Sequence, residues 1–113
     1  MEFLTTLITH VPRGTPESTV DATKDREAIR AAELAKMGHL LRLWRPPVEP
    51  GEWRTLGLWS ADTEAHLNEI LASLPLHVWM TVEITPLNRH PNDPAAITEP
   101  SSGAMAAPSP RCN

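Results

Sequence analysis

With 113 residues, a net charge of −4 and a pI near 5.7, the chain has room for one domain, and its ten Lys and Arg are too scattered to mark a partner for nucleic acid or an anionic membrane. Its single cysteine, Cys112, can close no internal disulfide, which fits a reducing cytoplasm. No apolar run is long enough to span a bilayer, and the opening Met-Glu-Phe lacks the basic flank of a signal peptide.

Residues 2–11 are apolar and β-branched up to Pro12, which reads as a first strand. Arg13-Gly14-Thr15-Pro16 then turns the chain. Thr15 as N-cap, Pro16 at the first helical position and Glu17 in the first turn predict a helix over 16–37, stopped by Gly38. At about 100° per residue, Val20, Thr23, Glu27, Ala31, Leu34 and Gly38 fall on one stripe of that helix. Asp25, Arg26, Glu33 and Lys36 lie on the other side. Thr23 fits the stripe by returning its hydroxyl to a helix carbonyl. Glu27 is the exception. A carboxylate amid small and apolar neighbours is costly unless paired, hydrogen-bonded or protonated, so Glu27 is the first candidate for chemistry; a salt-bridged Glu at a helix edge is the other reading of the pattern.

Residues 39–45 read as a second strand, with Leu41, Leu43 and Arg45 on one face and Leu40, Arg42 and Trp44 on the other. Pro46, Pro47, Pro50 and Gly51 mark the loop to a third strand over 53–59. Ser60, Ala61 and Asp62 supply the cap for a second helix, 63–73, whose apolar side is Ala65, Leu67, Ile70, Leu71 and Leu74. A fourth strand, 77–85, alternates Val78, Met80, Val82 and Ile84 with Trp79, Thr81, Glu83 and Thr85. The order βαββαβ is the ferredoxin-like α+β arrangement: a four-stranded antiparallel sheet with both helices on one face. Apolar residues occupy both strand phases, so the other face is expected to pair with a second copy in a homo-oligomer, dimer or larger. The domain is expected over 1–91, and the Pro-, Ala- and Ser-rich residues 92–113 as a disordered tail. A folding unit of roughly 90 residues also favours oligomerisation, because so small a core is marginal alone.

No histidine pair (His10, His39, His66, His77) has ligand spacing and no cysteine lies near one, so no metal is expected. Ser60, Ser73 and the threonines lack a nucleophile-elbow context, and the glycines build no phosphate loop.

Arg26-Glu27-x-x-Arg30-Ala31-x-Glu33-Leu34, then Gly38 and Leu43-Trp44-Arg45, then Leu74-Pro75-Leu76, Met80, Glu83, Thr85-Pro86-Leu87 and His90-Pro91 form an ordered set over about residues 1–92. This set resembles the muconolactone δ-isomerase family. The resemblance implies a ferredoxin-like fold, a large homo-oligomer and no cofactor. The implied activity is movement of a double bond in a five-membered unsaturated lactone, or a related enolisable ring, during breakdown of aromatic compounds through catechol. Glu27 matches the family's helix-one glutamate and would shuttle the proton. Arg42, Arg30 and Arg45 are candidates to stabilise the dienolate. Arg42, Trp44, Trp53, Thr55, Trp79 and His90 are candidates to hold the substrate. The chain departs from the family's common pattern at Ala28 (Lys), Arg42 (His), Thr55 (Asn) and at Trp53 and Trp79 (both Tyr). On residues alone, two further readings stay open: a relative repurposed for another isomerisation, cyclisation or dehydrohalogenation, and a non-catalytic ligand-binding protein.

Overall fold

A computed structural model describes residues 1–97; the tail expected over 92–113, with Cys112, lies outside them from residue 98 onward. Four strands, β1 (Glu2–Thr9), β2 (Leu40–Trp44), β3 (Arg54–Ser60) and β4 (Met80–Leu87), form one antiparallel sheet in the order β2-β3-β1-β4. Helices α1 (Glu17–Lys36) and α2 (Glu64–Ala72) contribute Leu34, Leu67, Ile70 and Leu71 to the core on one face of this sheet. The ferredoxin-like expectation holds.

The central strand β1 alternates cleanly, burying Phe3, Thr5, Leu7 and Thr9 on the helix side. Beside it on β3, Trp59 is 1 % exposed and donates its indole N–H to Thr5 Oγ1 at 2.9 Å, so the hydroxyl inside the core is satisfied. The indole lies back over Gly57. A Cβ there would stand 2.5 Å from Trp59 Nε1, so any side chain at this position forces the indole out of its packed place.

Helix α1 ends as the sequence predicts. Gly38 takes φ +86°, its N–H reaches Ala35 O at 3.1 Å, and the His39 N–H reaches Leu34 O at 2.9 Å, the paired bonds of a Schellman motif. Thr23 donates its hydroxyl to Thr19 O at 2.8 Å and is buried.

Three local expectations change. Pro16, not Thr15, occupies the N-cap of α1; the Thr15 hydroxyl and N–H both go back to Pro12 O, closing the preceding turn. Thr63 caps α2, accepting from the His66 N–H at 3.0 Å, because Ser60 remains in β3 and Ala61 is buried at its end. Residues 77–79 are not strand: a 3-10 turn, Pro75–Trp79, precedes β4. Pro75 has no N–H to give a ladder and its fixed φ suits the first position of a turn. Val78, expected to share a strand face with Met80, Val82 and Ile84, is therefore 79 % exposed. Beyond Thr85, β4 continues through Pro86, which is tolerated on an edge strand, to pair Leu87 with Glu2. A second 3-10 turn, Pro94–Ile97, follows.

Strand β2 also breaks its expected phase. The register slips between Leu40, opposite Trp59, and Arg42, opposite Leu58, leaving Leu41 as an extra residue in a β-bulge. Leu40 and Leu43 then share the helix side with Trp59 and Gly57, while Arg42 and Trp44 stand on the open face with Leu58 and Leu56.

Candidate active site

Between α1, the sheet and the chain around Leu74–Leu76 lies a cavity of about 370 Å³, the size of a small-molecule site. Its floor is Leu7, Thr9, Thr55, Trp59 and Met80 from the sheet, and Leu40, Leu43, Arg45 and Trp53 close the β2–β3 side. From α1 come Lys24, Glu27, Ala28 and Ala31. Among the described residues Glu27 is the one acidic residue lining it.

Helix α1 carries the expected stripe. Thr23 and Leu34 are buried, Val20, Glu27 and Ala31 half-buried, so Glu27 is placed at the boundary between core and cavity. Its Oε1 accepts from the Leu76 N–H at 2.9 Å, across 49 residues of chain. That donor is free because Leu76 sits at the start of the 3-10 turn, where N–H groups have no partner within the turn. Burial is the dominant influence on the carboxyl and raises its pKa above the ordinary value; the Leu76 hydrogen bond and the nearby His77 charge pull the other way. A carboxylate held by one oxygen beside an apolar cavity, with raised proton affinity, is suited to take and return a proton.

The other expected site residues divide. Trp53 and Thr55 line the cavity, as does Arg45. Arg42 and Trp44 do not: the bulge at Leu41 turns both to the open face, where the Arg42 guanidinium stacks 5.1 Å above the Trp44 ring. Trp79 is half-buried at the end of the 3-10 turn and is not among the lining residues, although its carbonyl accepts from the His10 N–H at 2.7 Å. His90 lies beyond the Glu2–Leu87 end of the sheet, whereas the cavity adjoins the Thr9–Met80 end; its Nδ1 accepts from the Asn92 N–H at 2.9 Å. Arg30 is tied to Ser73 Oγ and Glu33, both at 3.0 Å, and does not line the cavity. Sequence reasoning missed Lys24, Thr9, Met80 and the Leu76 N–H. Lys24 had a legible signal, since it precedes Glu27 by three residues and so shares its helix face. The Leu76 N–H had only Pro75 as a sign of a turn.

The sequence profile of the muconolactone delta-isomerase family matches residues 1–93. The chain belongs to this isomerase family. Muconolactone Delta-isomerase 1 of Acinetobacter lwoffii is 33% identical over 92 residues, covering 81% of this chain and 93% of its own. A crystal structure of muconolactone isomerase superposes with a TM-score of 0.73 at 25% identity, covering 82% of this chain and 94% of that one. A dehydrochlorinase of 5-chloro-2-hydroxyhydroquinone from Burkholderia phenoliruptrix shares the fold, with a TM-score of 0.55 at 9% identity over 80% of this chain and 96% of its own. Within the family the chain is an enzyme of the cofactor-independent isomerase type.

Proposed function

We propose that the chain moves a carbon–carbon double bond within an unsaturated lactone, muconolactone or a close enolisable relative, in the cytoplasmic breakdown of aromatic compounds. Glu27 removes a proton from one ring carbon, the electron pair delocalises into a dienolate, and the proton returns from the same carboxyl to the distal carbon while the double bond shifts. The balance closes without oxidant, reductant or external acid. The observation that carries the reading is Glu27 itself, the sole acid among the described residues lining a largely apolar cavity, with one oxygen held by the Leu76 N–H and the proton affinity raised by burial. Thr9 and Thr55 line the same cavity and supply hydroxyls toward the dienolate charge.

The same reading includes self-association. On the open face of the sheet Leu4, Ile8, Leu56 and Leu58 are only half-buried in the isolated chain and Trp44 is 40 % exposed, an apolar surface suited to a second copy's sheet.

The test is exchange with migration. Muconolactone in deuterated buffer, followed by NMR, should show the double bond moving, with deuterium entering the ring to the extent that the Glu27 carboxyl exchanges its proton with solvent before returning it, and Glu27→Gln should abolish both. Exchange without migration would redirect the reading to another enolisable ring. Neither event with the wild-type protein would reject this lactone as its substrate.

A further inference from the structure

A second cavity, of about 280 Å³, adjoins the first and shares three of its residues: Lys24, Arg45 and Trp53. Its remaining walls are Val48, Glu52 and Arg54, so it forms an outer vestibule where the β2–β3 loop meets α1. The charges there do not cancel. Glu52 pairs with Arg54 at 3.9 Å, leaving Lys24 and Arg45 with no ion pair among the described residues. The Lys24 ammonium is instead held 5.2 Å above the Trp53 ring, an arrangement that fixes a cation without neutralising it. A shared wall with two uncompensated cations is short of an anion.

We propose that Lys24 and Arg45, with Trp53 as the rest for Lys24, form the clamp for the substrate's carboxylate and make the enzyme selective for lactone acids over neutral lactones. The inference rests on the proposed isomerase reading and adds to it the residues that set specificity. The spacing supports it. Lys24 and Glu27 are three residues apart on α1, so their side chains leave the helix about 5 to 6 Å apart on one face. A carboxylate gripped at the vestibule would leave the ring of a short-chain lactone acid over Glu27, with the acidic carbon toward the inner cavity. Holding and orienting the substrate, not proton transfer, is the role assigned to Lys24 and Arg45.

The experiment compares muconolactone with its methyl ester as substrates. It also measures, by calorimetry, binding of the saturated lactone acid, which has no double bond to move. Wild type should favour the acid over the ester by about tenfold or more in kcat/KM, the scale of one charge-assisted hydrogen bond. Lys24→Gln and Arg45→Gln should each raise KM for the acid about tenfold, with kcat and the ester's kcat/KM little changed. Lys24→Arg should restore most of the loss, which a merely structural role would not predict. Both positions are exposed, and a circular-dichroism melt unchanged from wild type checks folding. Equal kcat/KM for acid and ester in wild type would overturn the clamp and leave the isomerase reading standing. If muconolactone is not turned over but the saturated acid binds, and binding weakens in both Gln variants, the clamp stands and the isomerase reading fails. No binding of the saturated acid by wild type would overturn the clamp.

Discussion

The two faces of the sheet are built from the same strands and differ in what closes them. On the helix side, α1 and α2 complete a core around Phe3, Trp59, Leu34, Leu67 and Leu71, and the part they leave uncovered is a cavity with one carboxylate on its wall. On the open side, Leu4, Ile8, Leu56, Leu58 and Trp44 meet no helix and stay partly exposed. Apolar content does not separate the two faces. Among the described residues the helix side offers Glu27, partly buried and held by the Leu76 N–H, and this is why the proposed chemistry is assigned to the helix side and the proposed association to the other.

Removing that group gives the largest expected effect. Glu27→Gln preserves shape and can keep the Leu76 hydrogen bond through its amide oxygen, yet it cannot act as a base; turnover should fall by roughly 10²–10⁴-fold in steady-state kinetics. Its stability should move the other way. Because burial raises the folded-state pKa of Glu27, the native chain holds this proton more tightly than the unfolded chain does. That contribution to stability is complete below the unfolded pKa and is lost as pH rises through the folded one. Denaturant titrations should therefore show Glu27→Gln gaining on wild type between acidic and neutral pH.

On the open face, Leu58→Lys is the counterpart. Burying an unpaired ammonium between two sheets costs several kcal/mol, so sedimentation should show the variant dissociated at concentrations where wild type is assembled. The fold of each chain should survive, since Leu58 makes no part of the helix-side core. If wild type itself sediments as a monomer, the contrast between the faces loses its second half.

The helix side can also be perturbed without touching the carboxylate. Gly57→Ala places a Cβ 2.5 Å from the Trp59 indole nitrogen, and the rigid ring cannot yield without disturbing both Thr5 and the cavity floor. A loss of about 1–3 kcal/mol is expected in thermal or urea unfolding, of the size seen for overpacked cores.

How far these features were legible in the sequence follows from their range. The stripe through Thr23, Glu27 and Leu34 and the stop at Gly38 depend on residues within a few turns of one helix, and both are as predicted. Trp53 and Thr55, candidates to hold the substrate, line the cavity. Arg42 and Trp44, candidates that came with the family resemblance, stand on the open face, because the bulge at Leu41 depends on pairing with β3 and one extra residue reverses every side chain after it. The 3-10 turn over Pro75–Trp79 was lost for a related reason: Val78 and Trp79 have strand propensity, but Pro75 and the bond from the Leu76 N–H to Glu27 commit the segment to a turn.

That last bond frames the smallest effect. Two influences restrain the burial that raises the Glu27 pKa, the Leu76 N–H and the positive charge of His77, and only the second can be removed by a side-chain substitution. His77→Gln leaves the backbone bond from the His77 N–H to Leu74 O available, so the turn carrying Leu76 should persist. With the imidazolium gone, desolvation is less opposed and the Glu27 pKa should move further up. The base is active only when deprotonated, so the acidic limb of the kcat/KM profile should shift to higher pH, with the plateau on its alkaline side largely kept. A shift to lower pH would mean that His77 acts on Glu27 other than through its charge. A lowered plateau with no shift would instead place the imidazole in contact with substrate.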